Sequence, residues 1–373
     1  METNKPTVAP GQPSLGPLLR DRFFWLSLAC AGLVLSFTLW LPLGPDAGML
    51  GYCSWIWDKY HEPPYVGCNT ENFPGIFLVH LLGLKLFGES VIGFRLFDFL
   101  IETASALMIF HLARRLFQSG LAGFFAALAF ASYYYNLGYA FTGEREAFIL
   151  FFTLAGLMIH MNSDRLTTLG ALLVGLLAGF CFLIKPTAAL FGPAFAILIL
   201  LETRREPRRA LLDLAAFAGA CLTPTVLIVA YYVLNHHLQE LVANLYVMNV
   251  KLYSQIPLML EPDQSTGRLS ISRPMFLLYQ CYKIVHDQPV VVLSAAAVIA
   301  GAFRDKVGKG ERKLFRAVLA LASAALVMVL VQNRAIDYQR LPLSALLAIL
   351  AGGGFAGLVR KAGARTPSLR AGR

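Results

Sequence analysis

The residues able to do chemistry gather at the ends of apolar runs. Asp46 follows the first such run directly, in Gly44-Pro45-Asp46-Ala47-Gly48. A carboxylate at a membrane edge among small residues leaves room for a ligand, and partial burial raises its pKa toward use as a general base. The bland alternative is an aspartate that caps the next helix. Further on, Thr142-Gly143-Glu144-Arg145-Glu146 follows Tyr133, Tyr134, Tyr135 and Tyr139. Glu144 and Glu146 can orient an acceptor, and Arg145 can pair with a phosphate. Acidic residues in a first helical turn read equally well as capping. Lys185 lies between two apolar runs in Ile184-Lys185-Pro186-Thr187, while Arg334, Tyr338 and Arg340 fall in the polar stretch 332–340. Snorkelling to headgroups explains any one of these cations. It explains less well why acids and bases collect on one face at several span ends, and ionisable residues at membrane depth are functional candidates.

The elements that carry them are membrane helices. Hydrophobic residues make up 57% of the 373-residue chain and charged ones only 14%, against roughly 25% charged in a soluble domain. A span needs about 20 mostly apolar residues, and 23–43, 91–110, 211–234, 314–331 and 341–359 meet that test. Runs broken by Pro, Gly or charge, such as 121–135 and 186–201, suit a bundle lining a cavity. The basic clusters Arg20/Arg22, Arg114/Arg115, Arg204/Arg205/Arg208/Arg209, 304–316 and 360–373 fall between spans, and the stretch 44–74 is acidic and aromatic. Placing the clusters inside gives an all-α polytopic bundle of about ten spans with both termini cytoplasmic. The net charge of +10 is therefore a topology signal rather than a nucleic-acid footprint, because it is spread over separate loops.

The expected organisation is a disordered cytoplasmic tail (1–19), a transmembrane domain (20–359) and a basic cytoplasmic tail (360–373), the first apolar run being an uncleaved anchor. The first outer loop, 44–89, should hold two interfacial helices, over about 49–60 and 73–87, the second too short to span. The long outer connection 235–288 starts with an amphipathic stretch, 236–258, suited to an interfacial or lid helix. Cys53 and Cys68 share the first outer loop, where an oxidising compartment permits a disulfide; free thiols are the alternative. His236, His237 and Glu240 have the types for a metal, but a lid helix with a few polar residues fits them better. No cofactor is expected.

In order along the chain, these features resemble the polytopic glycosyltransferases of the GT-C fold. More narrowly, they resemble the bacterial dolichyl-phosphate-mannose-protein mannosyltransferase and aminoarabinose-transferase-like group. The resemblance rests on Asp46 after the first span, on Pro63-Pro64-Tyr65 and Asn72-Phe73-Pro74-Gly75, and on Leu86-Phe87-Gly88 with Phe94-Arg95-Leu96. It continues through Leu112-Ala113-Arg114-Arg115-Leu116, Phe182-Leu183-Ile184-Lys185-Pro186, and Val331-Gln332-Asn333-Arg334 with Tyr338 and Leu341-Pro342. There are departures. Asp46 stands alone where many relatives have Asp-Glu or Asp-x-Asp, which gives a divalent metal no support. Glu71-Asn72-Phe73-Pro74 replaces Lys-Pro-Pro, and Gln339 stands where a His often follows the late Tyr.

The resemblance implies sugar transfer, with inversion, from a polyprenyl-phosphate donor to a lipid, glycan or protein acceptor at the outer face of a bacterial inner membrane. Asp46 would be the base and Glu144 and Glu146 would orient the acceptor. Arg145, Lys185, Arg334, Tyr338 and Arg340 would compete for the donor phosphate, with Lys85 and Arg95 as further cations. Partners would be the donor, the acceptor and membrane lipids, with no nucleic acid. A transporter or flippase would favour ionisable residues at mid-bilayer and internal repeats. A polysaccharide polymerase or ligase would rely on the long outer loop.

Overall fold

A computed structural model describes residues 19–162, 166–252, 272–304, 309–332 and 334–364. The expected disorder of the N-terminal tail and most of the basic C-terminal tail lie outside these residues. So does the second part of the stretch 236–258.

Local chemistry sets the helix starts. Serine and threonine side chains accept from backbone N–H groups two or three residues on at Ser90, Ser119 and Thr167, and Asp21 does the same for Phe23, satisfying donors that a first turn leaves unpaired. Pro45, Pro74 and Pro207 open others, where the missing N–H costs nothing. The main helices are α1 (Arg22–Ser36), α2 (Pro45–Tyr60), α3 (Pro74–Phe87), α4 (Val91–Phe117), α5 (Gly120–Asn136), α6 (Arg145–Met161) and α7 (Thr168–Ile184). They continue with α8 (Phe191–Thr203), α9 (Pro207–Leu234), α10 (Arg273–Asp287), α11 (Pro289–Arg304), α12 (Lys309–Val331) and α13 (Leu341–Ala364). No strand occurs among the described residues, and Pro64 and Cys68 form an isolated bridge.

Six helical stretches among the described residues are long and apolar enough to cross a membrane: Arg22–Trp40, Val91–Phe117, Pro186–Thr203, Pro207–Leu234, Glu311–Val331 and Asp337–Ala362. The pair α10 and α11, bent by 96°, adds a seventh if it is one broken span. Helices α5, α6 and α7 have 17 residues each, about 25 Å of rise and the short end of a span. The chain is a multi-pass membrane protein, and a count of about ten requires these shorter helices to cross too.

Packing concentrates in the middle of the bundle. Helix α7 lies along α9, and α5 lies along α13, α4 and α1. Phe110, Phe130, Phe148 and Phe195 are fully buried between them. Helix α9 instead turns Leu211, Leu222, Val226 and Leu227 outward, as a lipid-facing helix does.

The bundle has two polar ends. At one, Asp21 pairs with Arg114 at 2.6 Å, and Glu202 meets His160 and Lys313 at 2.9 and 2.8 Å. At the other lie the starts of α2, α3, α6 and α13 and the end of α7. Helix α6 separates Arg145 from His160, so the two ends stand about 22 Å apart.

Candidate active site

The site is assembled from five breaks in the chain. Gly44 makes the first approach possible. A Cβ there would lie 2.7 Å from the Ala140 carbonyl, so only glycine lets the start of α2 press on the loop before α6. Gly75 makes the second, because a Cβ would lie 2.7 Å from the Leu183 backbone. That contact brings Asn72 beside the end of α7, where Lys185 sits. The first outer loop is also stapled, since Cys53 and Cys68 are joined by a disulfide with Cα atoms 5.6 Å apart.

Arg95 ties two of these breaks together. Its fully buried guanidinium donates to the carbonyls of Leu41, Pro42 and Thr142 and, at 2.8 Å, to the Thr142 hydroxyl. Behind it, Tyr134 accepts from the Gly143 N–H at 2.7 Å and donates to Asp98 at 2.7 Å. The segment 142–146 is therefore held by side chains of α4 and α5.

Arg145 is the hub. It donates to Asn72, to Asp46 at 3.2 Å and to Tyr338 at 2.8 Å, with Glu144 3.7 Å away. Lys185 donates to Glu146 and, at 2.7 Å, to Gln332. Both cations approach the Tyr338 ring, its centroid 5.8 Å from the Arg145 guanidinium carbon and 5.7 Å from Lys185 Nζ. Asp46 is the accessible member, with its side chain 49% exposed. It stands in the first turn behind Pro45, and the cap position is Gly44 without a side-chain bond, so Asp46 is not the capping residue of α2.

Burial tunes the neighbours. Glu144 is 1% exposed, and neither of its carboxylate oxygens has a hydrogen-bond partner among the described residues. Burial pushes its carboxyl up to about 8, against the opposing pull of Arg145. Burial also draws the Lys185 ammonium below its usual value, while Glu146 opposes that shift. Among the described residues no group of three or more His, Cys, Asp or Glu side chains is placed to hold a metal ion.

Several sequence expectations change. Arg340 does not face the cluster. It is 1% exposed and pairs with Asp287 at 3.0 Å and with Asp337. The reason is local. Residues 337–340 form a 3₁₀ turn, in which positions three apart eclipse and positions two apart diverge. Arg340 therefore joins Asp337 while Tyr338 turns inward. Arg95 and Lys85 are also committed, the first to carbonyls and the second to Asp58. Glu146 is fully buried against Lys185, which suits holding the lysine rather than orienting an acceptor. Arg334 is half-buried on the approach to the turn. His237 stands 3.9 Å from Glu240, and α2 starts at Pro45, four residues before the expected interfacial helix. The sequence does not single out the side chains of Asn72, Gln332, Tyr134 or Asp98. Asn72 falls in the Asn72-Phe73-Pro74-Gly75 motif, but nothing there marks its side chain. Asp98 and Glu102 are fully buried inside α4, so ionisable groups are not confined to the span ends.

This arrangement of helices has known counterparts. Over 94% of its length the chain overlays the solved structure of ArnT from Cupriavidus metallidurans in the apo state, with a TM-score of 0.63 and 16% identity, covering 62% of that chain. The chain has the GT-C fold. The same protein bound to undecaprenyl phosphate overlays with a TM-score of 0.59. The archaeal oligosaccharyltransferase AglB from Archaeoglobus fulgidus overlays with 0.51 at 13% identity, across 91% of this chain and 51% of that one. Residues 71–232 match the family profile described as dolichyl-phosphate-mannose-protein mannosyltransferase. A curated relative, undecaprenyl phosphate-alpha-4-amino-4-deoxy-L-arabinose arabinosyl transferase from Pseudomonas aeruginosa, is 25% identical over 209 residues. That stretch is 54% of this chain and 37% of the relative, so this chain matches little more than a third of the relative's length. The GT-C bundle here carries its acid–base cluster at one end, between α2, α6, α7 and the turn before α13.

Proposed function

We propose that the chain is a membrane glycosyltransferase that moves a sugar from a polyprenyl-phosphate donor to an acceptor hydroxyl, with inversion, at the outer face of a bacterial inner membrane. The observation that carries the reading is the Asp46–Arg145–Tyr338–Lys185 cluster, in which one half-exposed carboxylate adjoins Arg145 and both part-buried cations approach the Tyr338 ring. The GT-C fold and the names of the relatives support it. The basic clusters at the opposite end favour placing the site outside.

In this mechanism the donor phosphate binds at Arg145 and Lys185, with the Tyr338 hydroxyl beside it. The acceptor oxygen attacks the anomeric carbon from the face opposite the phosphate. The bond from that carbon to the phosphate oxygen breaks, and its electron pair stays on the departing polyprenyl phosphate. Arg145 and Lys185 stabilise that charge. The acceptor proton passes to Asp46. Glu144, protonated at neutral pH, offers a hydrogen-bond donor to the acceptor instead of a repelling charge. Asn72 and Glu146 hold the two cations in register. Transfer of radiolabelled sugar from a polyprenyl-phosphate donor in proteoliposomes tests the reading. Folded protein that transfers nothing from any such donor overturns it.

A further inference from the structure

The end of the bundle opposite the acid–base cluster holds a cavity of about 330 Å³ that the transfer reaction does not use. Its polar lining is His160 from α6, Glu202 from α8, and Arg312, Lys313 and Arg316 from the start of α12. Among the described residues, three cations against one carboxylate leave this lining positive. His160 is 1% exposed, its Nε2 lies 2.9 Å from Glu202, and its Nδ1 has no hydrogen-bond partner among the described residues. Lys313 already meets Glu202 at 2.8 Å. Arg312 and Arg316 are one helical turn apart, on the same face of α12.

Size and walls narrow the ligand. The volume is at the low end for small-molecule pockets, about 300 Å³, which suits a headgroup. A guanidinium fork matches phosphate oxygens. Leu198 and Leu201 complete the lining, and Ile197, Leu200 and Leu201 of α8 are exposed on the outside of the bundle. An apolar strip therefore runs from the cavity to the lipid-facing surface. Basic pockets between transmembrane helices are suited to anionic headgroups.

We propose that this cavity binds the phosphate of an anionic phospholipid, with Arg312 and Arg316 on the phosphate, His160 Nδ1 on a headgroup oxygen and the acyl chains along α8. The proposal does not depend on the transferase reading. The test is native mass spectrometry of the purified full-length protein in detergent with phosphatidylglycerol, phosphatidylcholine or inorganic phosphate. Phosphatidylglycerol should be retained and phosphatidylcholine lost. The double variant Arg312→Gln/Arg316→Gln should lower retention at least about tenfold. Glu202→Gln, which removes the carboxylate that the described lining holds, should raise it. Equal retention of both lipids overturns the proposal, as does indifference to the double variant. Complete displacement by millimolar inorganic phosphate also overturns it, because the site would then serve a free anion. If the double variant does not fold, Glu202→Gln decides, and unchanged or weaker phosphatidylglycerol retention refutes the site.

Discussion

Replacing Asp46 with Asn separates a chemical role from a structural one. The structural worth of the carboxylate follows from its surroundings. Its contact with Arg145 is 3.2 Å long and its side chain is 49% exposed, so the pair contributes at most about 1 kcal/mol after screening by solvent. Its place in the first turn of α2 adds at most about 1 kcal/mol through the helix dipole. Asn retains the oxygen that accepts from Arg145 and so keeps part of the first contribution. A general base, by contrast, accounts for about 10²–10⁴ in rate, or roughly 3–5 kcal/mol. The Asp46→Asn protein should therefore insert and melt within a few degrees of wild type, retain the donor, and transfer sugar at least about a hundredfold more slowly. Single-turnover transfer in proteoliposomes, with donor binding measured separately, reads the two roles apart. A folded Asp46→Asn protein with a wild-type transfer rate would falsify the base assignment and leave the membrane fold untouched.

Other perturbations probe the scaffold and the cations. Lys185→Met strands the fully buried Glu146, so it should destabilise by about 3–5 kcal/mol and weaken donor binding, while Lys185→Met with Glu146→Leu recovers stability but not donor affinity. Thermal melts and donor titrations distinguish these outcomes. Tyr134→Phe removes the acceptor of the Gly143 N–H and should cost about 1–3 kcal/mol, lowering transfer while donor binding at Arg145 and Lys185 persists; equal loss of both would refute a positioning role. Glu144 has a folded pKa raised to about 8 by burial, above its unfolded value of about 4.3. The folded state therefore binds more protons between those values, and the protein loses stability as pH rises from about 4.3 through 8. Glu144→Gln should flatten that slope, and a variant with the wild-type profile would refute the assignment. Reducing the Cys53–Cys68 disulfide, which closes a 15-residue separation, should cost up to about 3 kcal/mol, visible as a lower melting temperature with dithiothreitol.

How much of this could be read in the sequence depends on what fixes each residue. Asp46 and Lys185 were legible because each stands at the edge of an apolar run, where a charge without a purpose is costly. The bundle itself was legible from composition and run length. Arg95 and Arg340 were legible as cations but not as to role. Only tertiary contact reveals that Arg95 is consumed by carbonyls of two loops. Arg340 follows Tyr338 by two residues, and only the 3₁₀ geometry of 337–340 turns one in and the other away. Three consecutive tyrosines precede the site, and helix phase alone selects Tyr134 to meet Gly143 and Asp98. The short helices α5, α6 and α7 obscure the span count, because 17 residues fit either a thin crossing or a buried helix.

The charges around Tyr338 also explain why the fully buried acid beside the hub, Glu144, should be the one kept neutral. Arg145 meets Asp46, and Lys185 meets Glu146. These two pairs already balance. Were Glu144 ionised as well, a phosphate entering beside Arg145 would meet a surplus of negative charge 3.7 Å from the guanidinium. With its carboxyl pushed up to about 8, Glu144 instead holds its proton at neutral pH, and the incoming anion competes only with Asp46 for Arg145. Since Asp46 is half exposed and the contact is weak, displacement costs little.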